Sequence, residues 1–154
     1  MREIYQQAQQ FLDDIFDHAG FELRASAGEV EGGCILNIDG PDSALLRNEG
    51  GELLDALEHF VNQSFTRELP QGERFVCDVD SFRALRETEL RAMARHAAQM
   101  VLSSGVPFTF GPMSPNERRI IHLTLADNES LSTESVGEGN LRRLKVSLKK
   151  LAKN

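Results

Sequence analysis

Residues 108–146 read FTFGPMSPNERRIIHLTLADNESLSTESVGEGNLRRLKV, and the centre of this stretch is Arg118 followed one helical turn later by His122. Ser114, Pro115 and Glu117 spell a helix start: Ser114 accepts from the Glu117 N–H, the Glu117 side chain returns the bond, and Pro115 loses nothing at the first turn. The spacing predicts a helix from Pro115 to Ala126. At about 100° per residue, Ile120, Ile121, Thr124 and Leu125 fall on one side and Arg118, Arg119, His122 and Ala126 on the other. The first side is expected to be core, and the second an Arg/His ledge facing water. A guanidinium offers a fork of donors, and an imidazole donates, accepts or stacks on a base.

Outward from this helix, Val106–Phe110 reads as a short strand, and Leu131–Val136 with Leu141–Leu148 as a hairpin across Gly137-Glu138-Gly139-Asn140. Ser132, Thr133 and Ser135 read as strand residues with hydroxyls available to a ligand. In the second arm Leu144, Val146 and Leu148 alternate with Arg143, Lys145 and Ser147, so a cationic sheet face is expected to adjoin the ledge. Upstream, Phe82–Ser104 is the longest helical pattern, with Leu85, Leu90, Met93, Ala94, Ala97, Met100 and Val101 as its expected apolar side.

An isolated Arg-xxx-His is most often an ordinary solvated helix face, so the flanking text carries the reading. PMSPNERRIIH followed by ST.S.GEG..RR resembles the single-stranded nucleic-acid-binding domain named R-3-H after this spacing. The whole chain resembles the Jag family of bacterial KH plus R-3-H proteins, most closely from Phe82 to Val146. That resemblance implies an α+β protein with two modules: a type II KH-like domain over residues 1–80, and an R-3-H domain, a small three-stranded sheet with helices, over residues 81–154. It also implies binding of single-stranded RNA, or failing that single-stranded DNA. Arg118 and His122 would be the central contacts, with Arg119, Arg142, Arg143 and Lys145 supplying the electrostatic groove.

Residues 1–80 read as a helix over Arg2–Ala19 stopped by Gly20, two strands at Phe21–Ala25 and Cys34–Ile38 joined by the loop AGEVEGG, a short turn at Asp42–Leu46, a helix through ELLDALEHFVNQSF, and a strand at Arg74–Val79. This order resembles a type II KH domain. In that module a Gly-x-x-Gly loop lets the nucleic-acid backbone approach closely. The matching residues here are Asn48, Glu49, Gly50 and Gly51: the first glycine is replaced and a middle position is acidic. Asn48 is expected to tolerate the left-handed angles that glycine would take. Arg47 and Arg67 are the only nearby cations, so the KH clamp is expected to be weakened or lost.

The net charge of −7 argues against a nucleic-acid binder until it is divided. Residues 1–80 hold 17 Asp/Glu against 5 Lys/Arg, whereas residues 81–154 hold 7 against 12. Phosphate attraction is therefore expected in the second half, and a protein partner or self-association through the acidic first half is the alternative, which would make the chain an adaptor or dimerisation protein. Asp13, Asp14 and Asp17 are read as a solvated acidic face, and Cys34 and Cys77 as buried thiols. No phosphate loop, metal cluster or activated nucleophile is written in the chain, so no catalytic residue, metal or cofactor is expected. A nuclease built on Arg118, His122 and Glu117 is disfavoured because the capping box already occupies Glu117. With no bilayer-length apolar run and a polar start, a cytoplasmic protein without membrane contact is expected. The basic stretch KKLAKN closes the chain.

Overall fold

A computed structural model describes residues 1–150 and divides the chain into two compact units, Met1–Arg83 and Ala84–Asn154. Each unit builds its own core around a three-stranded sheet, so the protein is α+β.

In the first unit, α1 (Glu3–Ala19) ends at Gly20, whose left-handed backbone (φ 74°) closes the last turn. Strands β1 (Arg24–Val30) and β2 (Gly33–Asp39) pair antiparallel, while β3 (Arg74–Asp78) joins β2 in parallel, giving the order β1-β2-β3. The expected loop AGEVEGG is mostly strand: Ala27 to Val30 continue the ladder and the turn shrinks to Glu31-Gly32. The reason lies in the two glycines that follow Glu31, which take φ 85° and 137° and allow a tight reversal. Gly33 also lies against β3, where an added Cβ would stand 2.0 Å from the Arg74 carbonyl oxygen. Helices α2 (Ala44–Arg47) and α3 (Glu52–Phe65) follow β2. Tyr5, Leu12, Phe16, Leu36, Leu54 and Phe75 are among the side chains that α1, α3 and the sheet bury between them.

Both rims of this sheet are occupied by helix side chains. On the β1 rim, the Ala25 N–H donates to Asp13 Oδ1 (2.8 Å) and the Ala27 N–H to Gln9 Oε1 (2.9 Å). On the β3 rim, Asn62 accepts from the Phe75 N–H (2.9 Å) and donates to its carbonyl (2.8 Å). Glu58 accepts from the Cys77 N–H (2.9 Å), and Arg83 Nε donates to the Cys77 carbonyl (2.7 Å). The reading of Asp13 as part of a solvated face is thereby corrected, since it holds β1, whereas Asp17 is exposed and pairs at the surface with Arg24 at 2.8 Å. Cys34 and Cys77 are buried, and burial pushes the Cys77 thiol up to about 12.

The second unit contains most of α4 (Phe82–Ser104), then β4 (Phe108–Thr109), α5 (Pro115–Leu125), β5 (Leu131–Val136) and β6 (Arg143–Leu148), with sheet order β4-β6-β5, all antiparallel. The buried stripe of α4 is Leu90, Ala94, Ala97, Ala98 and Val101. Leu85 (66% exposed), Met93 and Met100 lie outside it, contrary to expectation. The alanines define the true face because short side chains permit close packing against Ile121, Leu125, Leu144 and Val146. Strand β6 begins at Arg143, later than expected, because Gly139–Leu141 form a 3-10 turn.

Candidate nucleic-acid interface

Helix α5 starts as its capping residues dictate: the Ser114 hydroxyl accepts from the Glu117 N–H at 3.2 Å, with Pro115 in the first turn. The reciprocal half differs from expectation. The Glu117 carboxylate is buried (5% exposed) and accepts from Arg86 Nε of α4 at 2.7 Å. Glu117 is therefore a buried link between α4 and α5. Ile121 and Leu125 enter the core, which turns Arg118 and His122 toward β5.

There the ledge is held from outside its own helix. Arg118 Nη1 donates to Ser135 Oγ at 3.0 Å, and His122 Nδ1 is hydrogen-bonded to Thr133 Oγ1. Arg118 is half-buried, with its Nε buried and unpartnered among the described residues, whereas His122 is exposed. The ledge is thus a pre-set pair and not two free side chains. The sequence presents Ser135 and Thr133 as strand residues with hydroxyls free for a ligand. The structure turns both hydroxyls inward to the Arg and the His, a grip that depends on strand register and leaves no mark in local spacing.

The remaining cations divide. Arg119 is exposed on α5. Arg142, also exposed, precedes β6 at the Ser135 end of β5, and its carbonyl accepts from the Met113 N–H at 3.2 Å. Arg143 and Lys145 sit opposite Val136 and Glu134 in the ladder, on the face turned away from Leu144, Val146 and the core. Side chains alternate across a strand, so these two lie on the other side of the sheet from the Arg118/His122 ledge. Lys145 is flanked there by Glu134 and Thr109. The expected single cationic face is two faces.

The loop in the first unit is built differently from the expectation for it. Asn48 has an ordinary φ of −63°, and the left-handed angles fall on Glu49 (φ 52°), Gly50 (68°) and Gly51 (86°). Glutamate therefore carries the backbone demand that glycine meets without cost. Gly51 cannot gain a side chain, because a Cβ there would lie 2.7 Å from the Phe82 ring. Arg47 is held by Asp80 in an ion pair. A hydrogen bond to Glu49 and its charge raise the Glu52 carboxyl above its ordinary value, so two acidic groups crowd the loop.

No group of three or more His, Cys, Asp and Glu side chains converges on a metal-sized site among the described residues, and no helix there is long and apolar enough to cross a membrane.

Residues 88–148 match the R-3-H domain, a span that contains the ledge, β5 and β6. The chain is 31% identical over 147 residues to the RNA-binding protein KhpB of Bacillus subtilis (strain 168), covering 94% of this chain and 71% of that protein. It is 29% identical over 143 residues to the RNA-binding protein KhpB of Clostridium symbiosum, covering 92% and 64%. The protein of the same name from Lactiplantibacillus plantarum is 30% identical over 115 residues, covering 75% and 36%. The chain thus spans roughly two thirds of the length of the first two relatives and about a third of the last. With similarity running through both units and the R-3-H match in the second, this chain belongs to the Jag family of KhpB proteins.

Proposed function

We propose that the protein binds single-stranded nucleic acid, RNA ahead of DNA, in the cytoplasm, and that the R-3-H unit carries the binding. The supporting observation is the Arg118/His122 pair, set side by side on one face by Ser135 and Thr133 in a chain whose relatives are named RNA-binding proteins. Arg118 contacts a phosphate or stacks, His122 contacts a base, sugar or phosphate oxygen, and Arg119 and Arg142 extend the positive field. Arg143 and Lys145, across the sheet, act as a second and weaker phosphate-attracting face.

Residues 1–80 form a KH-like domain in this reading. Its order of helix, two strands, two helices and strand supports that assignment. Its clamp is weak or lost, since Arg47 is paired and Glu49 occupies the loop. The relatives' name, RNA-binding protein, supports a function of binding. Anisotropy titration of the full chain with labelled single-stranded RNA and with a duplex of the same sequence tests the reading. Preference for the single strand, reduced by Arg118→Ala and by His122→Ala, is the expected result. Equal affinity for the duplex, or binding untouched by either substitution, overturns it.

A further inference from the structure

The grip on the ledge has a geometric regularity. Arg118 and His122 stand four residues apart, ~6 Å along the α5 axis, and Ser135 and Thr133 stand two residues apart, ~6.8 Å along β5. The contacts run antiparallel, Arg118 with Ser135 and His122 with Thr133, so one helical turn is matched by one strand repeat. Both hydroxyl residues lie on the same strand face as buried Leu131.

We infer that Thr133 and Ser135 are positioning residues of the RNA site: Thr133 sets the tautomer of His122 so that its outward nitrogen is a donor, and Ser135 aims the Arg118 guanidinium. This rests on the RNA-binding reading of the same face.

The chemistry follows from which atoms are already engaged. His122 Nδ1 is taken by Thr133, so Nε2 is the ring nitrogen left for a ligand. Under this inference the half-buried Thr133 hydroxyl, with no protein acceptor other than the ring among the described residues, donates to Nδ1 of the neutral imidazole, and the ring proton sits on Nε2. When the ring is protonated, both nitrogens carry hydrogen and the Thr133 oxygen accepts. The outward atom donates in both states. Arg118 likewise spends Nη1 on Ser135, leaving Nη2 as the donor not engaged in this way or buried. The ledge is therefore a donor-only surface. It selects phosphate oxygens and base carbonyls over amino groups, and it does not depend on the charge of His122 to keep its polarity.

The test uses the full chain with nitrogen-15-labelled imidazoles, whose long-range proton–nitrogen spectra identify the tautomer, together with titration of fluorescein-labelled oligouridylate. In the free wild-type chain the His122 proton is expected on Nε2. Thr133→Val should shift the ring to the mixed tautomers of a free imidazole and weaken binding about three- to tenfold, the range for one lost neutral hydrogen bond. Thr133→Ser should restore both. Ser135→Ala should weaken binding within the same range and leave the His122 spectrum unchanged. A wild-type ring protonated on Nδ1 overturns the inference, as does a folded Thr133→Val chain that weakens binding without changing tautomer, or a folded Thr133→Ser chain that restores neither property. If Thr133→Val fails to fold, the wild-type and Thr133→Ser spectra decide. Absence of oligouridylate binding by the wild type would remove the RNA reading, while the free-chain spectrum would still decide the tautomer.

Discussion

Arg118 is tied at one nitrogen and buried at another, so its removal acts on two properties at once. Arg118→Ala should weaken single-strand binding by about 1–3 kcal/mol and also cost about 0.5–1.5 kcal/mol of folding stability through the lost Ser135 contact. Titration and thermal melting of the same sample separate the two effects. Glu117→Gln should destabilise by about 1–3 kcal/mol, because the buried carboxylate loses its charge-assisted bond to Arg86; denaturant unfolding measures it. Glu49→Gly should stabilise, since glycine meets φ 52° without the roughly 1–2 kcal/mol left-handed penalty, less its greater unfolded-state freedom. With Glu49 gone, the raised carboxyl of Glu52 should fall toward its ordinary value, visible in a carbon-detected pH titration. At this scale, the Ser114 cap and the placing of Arg118 and His122 on one side of α5 are legible in the sequence because the pattern that marks them lies within one helical turn. Ser135, Thr133 and Arg86 are not, being 17, 11 and 31 residues from the groups they hold.

Elements register what residues cannot show singly. The helix at 115–125 is legible from its cap and period, and Ile121→Ala should cost roughly 2–5 kcal/mol by leaving a cavity under α5, as read by chemical denaturation. The extent of the β1–β2 turn is not legible, because Gly28 and the charged residues near it suggest a loop, whereas pairing with β2 outweighs their poor strand propensity. The faces of β6 are legible as an alternation, but not which face the ledge would share. That depends on α5 packing against the apolar side, which carries Leu144 and Val146. Asn62 shows the same limit: it sits in a helical pattern, yet its side chain completes the backbone pairing of Phe75. Asn62→Ala should cost about 1–3 kcal/mol by leaving two backbone groups unpaired, and amide exchange at Phe75 should accelerate.

Across the whole molecule the division of charge is legible by counting, with acid concentrated in residues 1–80 and base in 81–154. If about three to five phosphates are contacted at about 0.7 counterions each, the logarithm of the binding constant should fall against the logarithm of salt with slope near about −2 to −4. A series of titrations between low and physiological salt measures it. The same salt screens the repulsion among acidic groups of the first half, which in many β proteins is what keeps neighbouring copies apart. Here the β3 rim is already filled at Phe75 and Cys77, since Asn62, Glu58 and Arg83 occupy their N–H and C=O groups. An incoming strand would have to displace those side chains before it found a partner. The β3 edge of the first unit is therefore closed to an added strand by hydrogen bonds already made within the unit, and removing Asn62 or Glu58 should raise the light scattering of concentrated samples.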